Sequence, residues 1–330
     1  MINNIAIIGG GAWGTALAHC IALTDKTIRL WAREPEVVET ISKYNENKMF
    51  LPGIKLHSQI KPSSELLTVT KNSDVVILVV PSQYFRHVSK ELMQSITDET
   101  PIIICTKGIE TGTGLLMSEI ISDFFPQNTI ATLSGPTFAS EVALGKPTAL
   151  AFACGDKNIS QKLLEVFSKT NLRPYISDDI VGAEIGGAVK NVIAIASGVT
   201  IGRGLGDNAR ASLITRGFAE MLRLALAKGA KKETLTGLSG LGDLLLTCTS
   251  YQSRNFSLGV ELGKGKKLEE VVKTRRAVTE GVANATAVVE LSKKCGIEMP
   301  IANAVAKILQ DESSIEQAIK ELLARPVTTE

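Results

Sequence analysis

Three consecutive glycines near the start of the chain constrain its fold more than any other feature. Gly9-Gly10-Gly11-Ala12-Trp13-Gly14 follows the apolar, β-branched run Asn4–Ile8 and leads into the helical run Trp13–Leu23. In a G-x-G-x-x-G placed between strand and helix, the first glycine permits the tight turn and the second lets backbone approach a pyrophosphate. The third lets the helix pack on the strand. The helix then aims its first N–H groups and positive dipole end at the phosphates. Ile5 to Leu23 carries no formal charge and has the length of a membrane span. The glycines interrupt it, however, and Met1–Asn4 lacks the basic residues of a secretion signal. A soluble strand–turn–helix is expected, in a cytoplasmic protein without a membrane anchor.

The rest of the first half continues the alternation. Thr27–Trp31, Val75–Val80, Ile102–Cys105, Thr129–Leu133 and Thr148–Ala153 read as buried strands, with Leu172–Ile176 as the last. Pro35–Tyr44, Ser82–Met93 and Thr113–Phe124 read as helices between them. Strands alternating with helices of this length predict a mostly parallel, doubly wound α/β sheet. After Ser177 the strand pattern stops. Ile180–Val199, Ala209–Lys228, Glu280–Cys295, Ala302–Leu309 and Ser313–Leu323 have helical spacing, with glycine punctuation at Gly202–Gly206 and Gly237–Gly242. Two domains are therefore expected, an α/β dinucleotide-binding domain over 1–177 and an all-α domain over 178–330.

Composition removes several function classes. A formal charge of +2 offers no field for nucleic acid or membrane, and 5% aromatics are too few for base-stacking platforms. The five cysteines are scattered, with no C-x-x-C and only three histidines to join them. Neither structural zinc nor a disulfide framework is expected; no metal site is assigned, and the compartment reads as reducing.

Candidate chemistry sits at strand ends and in the helical half. The end of the second strand reads Leu30-Trp31-Ala32-Arg33, with no acid until Glu34. NAD sites usually place an acid about 20 residues past the glycines, whereas an arginine suits a 2′-phosphate. NADP(H) is thus favoured or at least accepted beside NAD(H), unless Arg33 is simply a solvated strand end. Lys107, in Cys105-Thr106-Lys107-Gly108, and the loop Ser134-Gly135-Pro136-Thr137 both follow strands whose carboxyl ends face the ligand crevice. Lys107 is poised for an anionic or carbonyl-bearing substrate, against the alternative of a surface lysine.

Gly186-Gly187-Ala188-Val189-Lys190-Asn191 puts a lysine within an apolar helix. Lysine is almost never buried without a partner, and desolvation would lower its pKa toward neutrality, suiting Lys190 to proton transfer. Snorkelling to the surface is the alternative. Asp243 and Thr247, at i and i+4 in Gly240-Leu241-Gly242-Asp243-Leu244-Leu245-Leu246-Thr247, share a helix face. Ser253-Arg254-Asn255 opens another helix before Phe256–Leu262, combining an arginine with free N–H groups as a phosphate site does. Other two-domain reductases of hydroxyacids or sugar phosphates, and a non-catalytic redox sensor, remain rival readings at this point.

These motifs, in this order, resemble bacterial NAD(P)-dependent glycerol-3-phosphate dehydrogenase: G-x-G-x-W-G-T-A-L-A, L-S-G-P-T-F-A, G-G-A-V-K-N-V-I-A-I, G-L-G-D-L-L-L-T-C and S-R-N. The resemblance runs from Ile5 to about Pro300. It implies a Rossmann-type sheet followed by a helical domain like that of 6-phosphogluconate dehydrogenase. It also implies reversible reduction of dihydroxyacetone phosphate to sn-glycerol 3-phosphate for phospholipid synthesis, in a homodimer. By the same resemblance Lys190 is the proton-transferring lysine. Lys107, Gly135, Thr137, Asp243, Ser253, Arg254 and Asn255 join it as substrate positions, and Asn191 and Thr247, beside Lys190 and Asp243, are counted with them. Gly9, Gly11, Ala12, Trp13, Gly14, Arg33, Lys107, Ala139, Arg254, Val278 and Glu280 are cofactor positions. Many relatives carry Ser where this chain has Ala12, so a side-chain contact to phosphate is absent there.

Overall fold

The computed structural model describes residues 2–24, 26–273 and 279–326. Its strands are β1 (Asn4–Ile8), β2 (Thr27–Trp31), β3 (Ile60–Ser63), β4 (Val75–Leu78), β5 (Ile102–Ile104), β6 (Ile130–Ser134), β7 (Thr148–Cys154) and β8 (Leu172–Ser177). They form one sheet in the order β3-β2-β1-β4-β5-β6-β7-β8, parallel except for the β6–β7 pair. Between the strands lie α1 (Ala12–Ala22), α2 (Pro35–Tyr44), α3 (Leu66–Thr70), α4 (Ser82–Leu92), α5 (Met117–Phe124), α6 (Ala139–Ala143) and α7 (Lys157–Leu164). Apolar clusters cover both faces of the sheet, and Ile5 to Ile8 of β1 are fully buried between them. That double burial is why the strands read as continuous apolar runs instead of alternating ones.

The second half is helical among the described residues. It comprises α8 (Ile180–Gly202), α9 (Gly206–Ala227), α10 (Lys232–Thr236), α11 (Asp243–Thr249), α12 (Arg254–Gly263) and α13 (Leu268–Lys273). After these come α14 (Glu280–Lys294), α15 (Pro300–Leu309) and α16 (Ile315–Leu323). The axis of this half is α8, in which every residue from Gly182 to Thr200 is buried. Its length and apolarity would suit a membrane, but here they serve a protein core. Asp179 caps it by accepting from the Gly182 N–H at 2.8 Å. Gly198 and Gly202 of α8 meet Gly259 and Gly263 of α12 across a close crossing. A Cβ on Gly198 would strike the Phe256 carbonyl, and one on Gly259 the Ile195 carbonyl.

The structure departs from the sequence expectations at several edges. The strand β3 was not anticipated: Ile60-Lys61-Pro62-Ser63 is short and contains a proline, which a sheet tolerates only at its margin, where β3 lies. The helix expected over Thr113–Phe124 begins only at Met117. Gly112 (φ +85°) and Gly114 (φ +70°) fold the preceding residues into a turn that lets Ile109 bridge to Leu116. The strand expected over Val75–Val80 ends at Leu78, and α8 and α9 run three residues beyond the expected C-terminal and N-terminal ends, to Gly202 and from Gly206. Four cysteines are buried and Cys295 is half-buried.

Candidate active site

At the carboxyl end of β1 the sheet reverses winding, because β1 pairs with β2 on one side and β4 on the other. This is where open α/β sheets hold their ligands. The glycine loop occupies it. Gly9 has φ +130°, reserved for glycine, and a Cβ on Gly14 would run into the Gly9 carbonyl. Gly11 faces open space, so backbone is accessible there. The N-terminus of α1 has no side-chain cap and no acid in its first turn, leaving its N–H groups to an outside anion. These residues fit a dinucleotide pyrophosphate.

From this loop a cleft of about 980 Å³ extends to α8 and α12. Gly9, Gly11, Ala12, Trp13, Gly14, Arg33, Ala139 and Glu280 line it from the cofactor set, with Lys107 and Arg254 shared by both sets. Thr137, Lys190, Asn191, Thr247, Ser253 and Asn255 line it from the substrate set. Val278 lies outside the described residues. Gly135 and Asp243 stand behind the lining, where the Gly135 carbonyl bonds Lys107 and Asp243 bonds both Lys107 and Lys190.

The reaction end centres on Asp243, which is fully buried. Its Oδ1 accepts from Lys190 Nζ at 2.6 Å and its Oδ2 from Lys107 Nζ at 2.7 Å. Lys190 also donates to Thr247 Oγ1 at 3.0 Å, and Lys107 to the Gly135 carbonyl at 3.2 Å. The Thr247 hydroxyl donates in turn to the Asp243 carbonyl oxygen at 2.6 Å, the i, i+4 relation fixing both on one face of α11. Burial drives the Lys190 ammonium down to about 8; the attraction of Asp243 opposes the shift, and the nearby Lys107 charge adds to it. The lysine is therefore paired and not snorkelling. Leu238–Gly242, a single π-type turn, delivers Asp243 by running directly into α11. The two glycines before Lys190 make room for this assembly. A Cβ on Gly186 would strike the Ser239 carbonyl, and one on Gly187 would press on Ser134 Oγ and the Lys107 stem at 3.1 and 3.3 Å. Cys105 lines the same end, but burial pushes its thiol up to about 12, so it stays neutral.

At the start of α12, Ser253 is the N-cap, accepting from Phe256 N–H at 3.2 Å. Asn255, which lines the cleft, also bonds within the protein. Its Oδ1 accepts from Gly281 N–H at 2.9 Å, so its Nδ2 donates to Asn191 Oδ1 at 2.8 Å. Asn191 then turns its own Nδ2 toward Glu280 Oε2 at 3.4 Å. The side chains of Asn191 and Asn255 thus tie α8, α12 and α14 together at the cleft wall. Thr137 bonds its hydroxyl to the Gly135 carbonyl at 3.2 Å. Sequence reasoning missed Asn284, fully buried on α14, whose Nδ2 reaches the Lys107 carbonyl at 3.4 Å. It missed Tyr84 as well, which lines the cleft beside Arg33. Position just after Pro81, at the end of β4 across the switch point, is the signal that could have found Tyr84.

A pyrophosphate loop at the switch point, facing a buried acid–base pair across one cleft, defines a dinucleotide-dependent oxidoreductase with an α/β and a helical half. Residues 4–160 match the N-terminal part, and residues 179–320 the C-terminal part, of the NAD-dependent glycerol-3-phosphate dehydrogenase family, to which this chain belongs. It is 50% identical to glycerol-3-phosphate dehydrogenase [NAD(P)+] of Parvibaculum lavamentivorans, over 99% of this chain and 98% of that one. The corresponding protein of Rhodospirillum rubrum is 49% identical over 100% of this chain and 95% of its own length. The solved glycerol-3-phosphate dehydrogenase of Coxiella burnetii superposes with a TM-score of 0.94 at 40% identity, covering 97% of this chain and 98% of that one. A ketopantoate reductase from Ralstonia eutropha, TM-score 0.64 at 16% identity, shares the fold alone.

Proposed function

We propose that this protein catalyses the reversible NAD(P)H-dependent reduction of dihydroxyacetone phosphate to sn-glycerol 3-phosphate, with Lys190 as the proton donor. The observation that carries this reading is the Lys190–Asp243–Lys107 assembly, facing the dinucleotide loop across the cleft. The reduced nicotinamide, when bound, supplies the hydride that the carbonyl carbon accepts. As that carbon is reduced, its oxygen gains negative charge and needs a proton. Lys190 gives it from Nζ, and in the oxidation direction takes it back from the alcohol. Asp243 holds Nζ at the cleft wall throughout. Lys107, fixed by Asp243 and the Gly135 carbonyl, places a second positive charge where the oxyanion develops. Arg254 and the first N–H groups of α12 hold the substrate phosphate, which fixes the carbonyl relative to Lys190. The Asn191–Asn255 pair supports that end by positioning α12 against α8.

The same reading makes the protein a cytoplasmic homodimer supplying glycerophospholipid synthesis; it rests on the scattered cysteines and the family pattern. Light scattering should give twice the chain mass. The decisive assay follows reduced-cofactor absorbance with dihydroxyacetone phosphate. Turnover is expected with it and with neither pyruvate nor ketopantoate. Turnover only with an unphosphorylated keto acid would reject the assignment.

A further inference from the structure

Glu34 stands at the N-cap of α2, a place favouring Ser, Thr, Asp or Asn, yet its carboxylate accepts from no N–H of that helix. It turns instead to its neighbour: Arg33 Nη2 donates to Glu34 Oε1 at 2.8 Å. Tyr84, in the first turn of α4, lies under the same guanidinium, with Arg33 Cζ 5.3 Å from the ring centroid. All three residues line the cleft at the carboxyl ends of β2 and β4, flanking the glycine loop. The Arg33 and Glu34 side chains are 63% and 29% exposed, so the pair is reachable by a ligand and core packing does not impose it. Glu91, the other acid lining this end, is occupied with His87 Nε2 at 3.1 Å.

We infer that Glu34 sets the balance between NADH and NADPH by masking the Arg33 guanidinium that a 2′-phosphate would engage. This deepens the dinucleotide reading proposed above and rests on it. A phosphate arriving here meets a cation already hydrogen-bonded to a carboxylate, and a negative charge beside it. A ribose 2′-hydroxyl meets an acceptor to which it can donate. One carboxylate therefore penalises one cofactor and favours the other, while Tyr84 keeps the guanidinium at the cleft mouth for both.

The test is binding, measured by tryptophan-fluorescence titration with NADH and NADPH and by displacement with adenosine 2′,5′-bisphosphate and AMP. Glu34→Gln should tighten NADPH at least fivefold and weaken NADH at least twofold, moving the ratio of dissociation constants tenfold or more. The bisphosphate should gain over AMP in the same sense. In an Arg33→Leu background the NADPH gain should fall below twofold, because nothing is left to unmask. A ratio that stays within twofold in Glu34→Gln overturns the inference, as does an undiminished gain without Arg33, which would mean general charge repulsion. Wild-type protein that binds neither nucleotide would instead overturn the dinucleotide reading itself.

Discussion

The two ends of the cleft are built on opposite principles. At the reaction end three charged groups share one buried cluster: Asp243 is fully buried and Lys190 is 7% exposed, and both lysines reach the same carboxylate. At the end beside the glycine loop, Arg33, Glu34 and Tyr84 meet at the mouth of the cleft, held by one ion pair and one ring face. Charges in a dry, hydrogen-bonded setting interact strongly and tolerate little change. Exposed pairs are worth on the order of 1 kcal/mol or less. On the proposed reading the chemistry is thus fixed where its cost is highest, and cofactor choice is left where single substitutions are cheap.

The sharpest way to break this contrast is Asp243→Asn. It leaves the buried Lys190 ammonium and the partly buried Lys107 ammonium facing a neutral amide, and loss of one partner of a buried pair costs about 3–5 kcal/mol. Thermal unfolding should record a large drop in midpoint. Because Asp243 holds the Lys190 pKa up, the residual activity should lose its reduction limb at lower pH than in wild type. A wild-type midpoint and pH profile would mean the cluster is not a coupled unit.

Lys190→Ala comes next, lowering kcat by roughly 100-fold or more with cofactor affinity nearly unchanged. The pH dependence has a definite sign. Reduction needs the ammonium form, so its rate should fall as pH rises through about 8, and oxidation should rise over the same range. Rates insensitive to pH across that range would remove Lys190 from proton transfer.

Arg254→Ala tests the site between the two extremes. It should raise KM for dihydroxyacetone phosphate and spare the feeble turnover of unphosphorylated dihydroxyacetone, a difference of at least about 2 kcal/mol. Equal losses for both substrates, after correction for cofactor binding, would move the phosphate elsewhere. The smallest effect belongs to Arg33→Leu, which should weaken NADPH by about 1 kcal/mol and NADH by less, as befits an exposed contact. A loss as large as that of Arg254→Ala would show the end beside the glycine loop to be as preorganised as the other.

Much of this arrangement was legible in the chain, for identifiable reasons. The glycine loop and its flanking strand and helix obey local rules, so their reading transferred directly to the structure. Lys190 stood out because an apolar helix has no structural use for a lysine. Its partner could not be read the same way. Asp243 lies 53 residues from Lys190 and 136 from Lys107, and only the packing of α11 against both α8 and the loop after β5 makes it common to both. Asn255 is a second case: the bonds its side-chain amide makes to Gly281 and Asn191 are set by packing between helices, which no spacing reveals. The strand β3 escaped notice because Pro62 breaks the pattern that marks interior strands.

The crossing of α8 and α12 carries a final implication. Lys190 stands on α8 and Arg254 opens α12, on helices pressed together backbone to backbone at Gly198 and Gly259. The backbones that carry the proposed proton donor and phosphate holder are therefore held at one separation by main chain, like the jaws of a fixed caliper, and only the Lys190 and Arg254 side chains can adjust the span. On the proposed reading such a gauge would select by length, a phosphorylated ketone one carbon longer being expected to turn over more slowly because its carbonyl would lie out of register with Lys190. Comparing turnover of the two chain lengths in wild type and in Gly259→Ala, where the jaws are forced apart, would read that gauge directly, and an unchanged length preference in the variant would show that the ruler lies elsewhere.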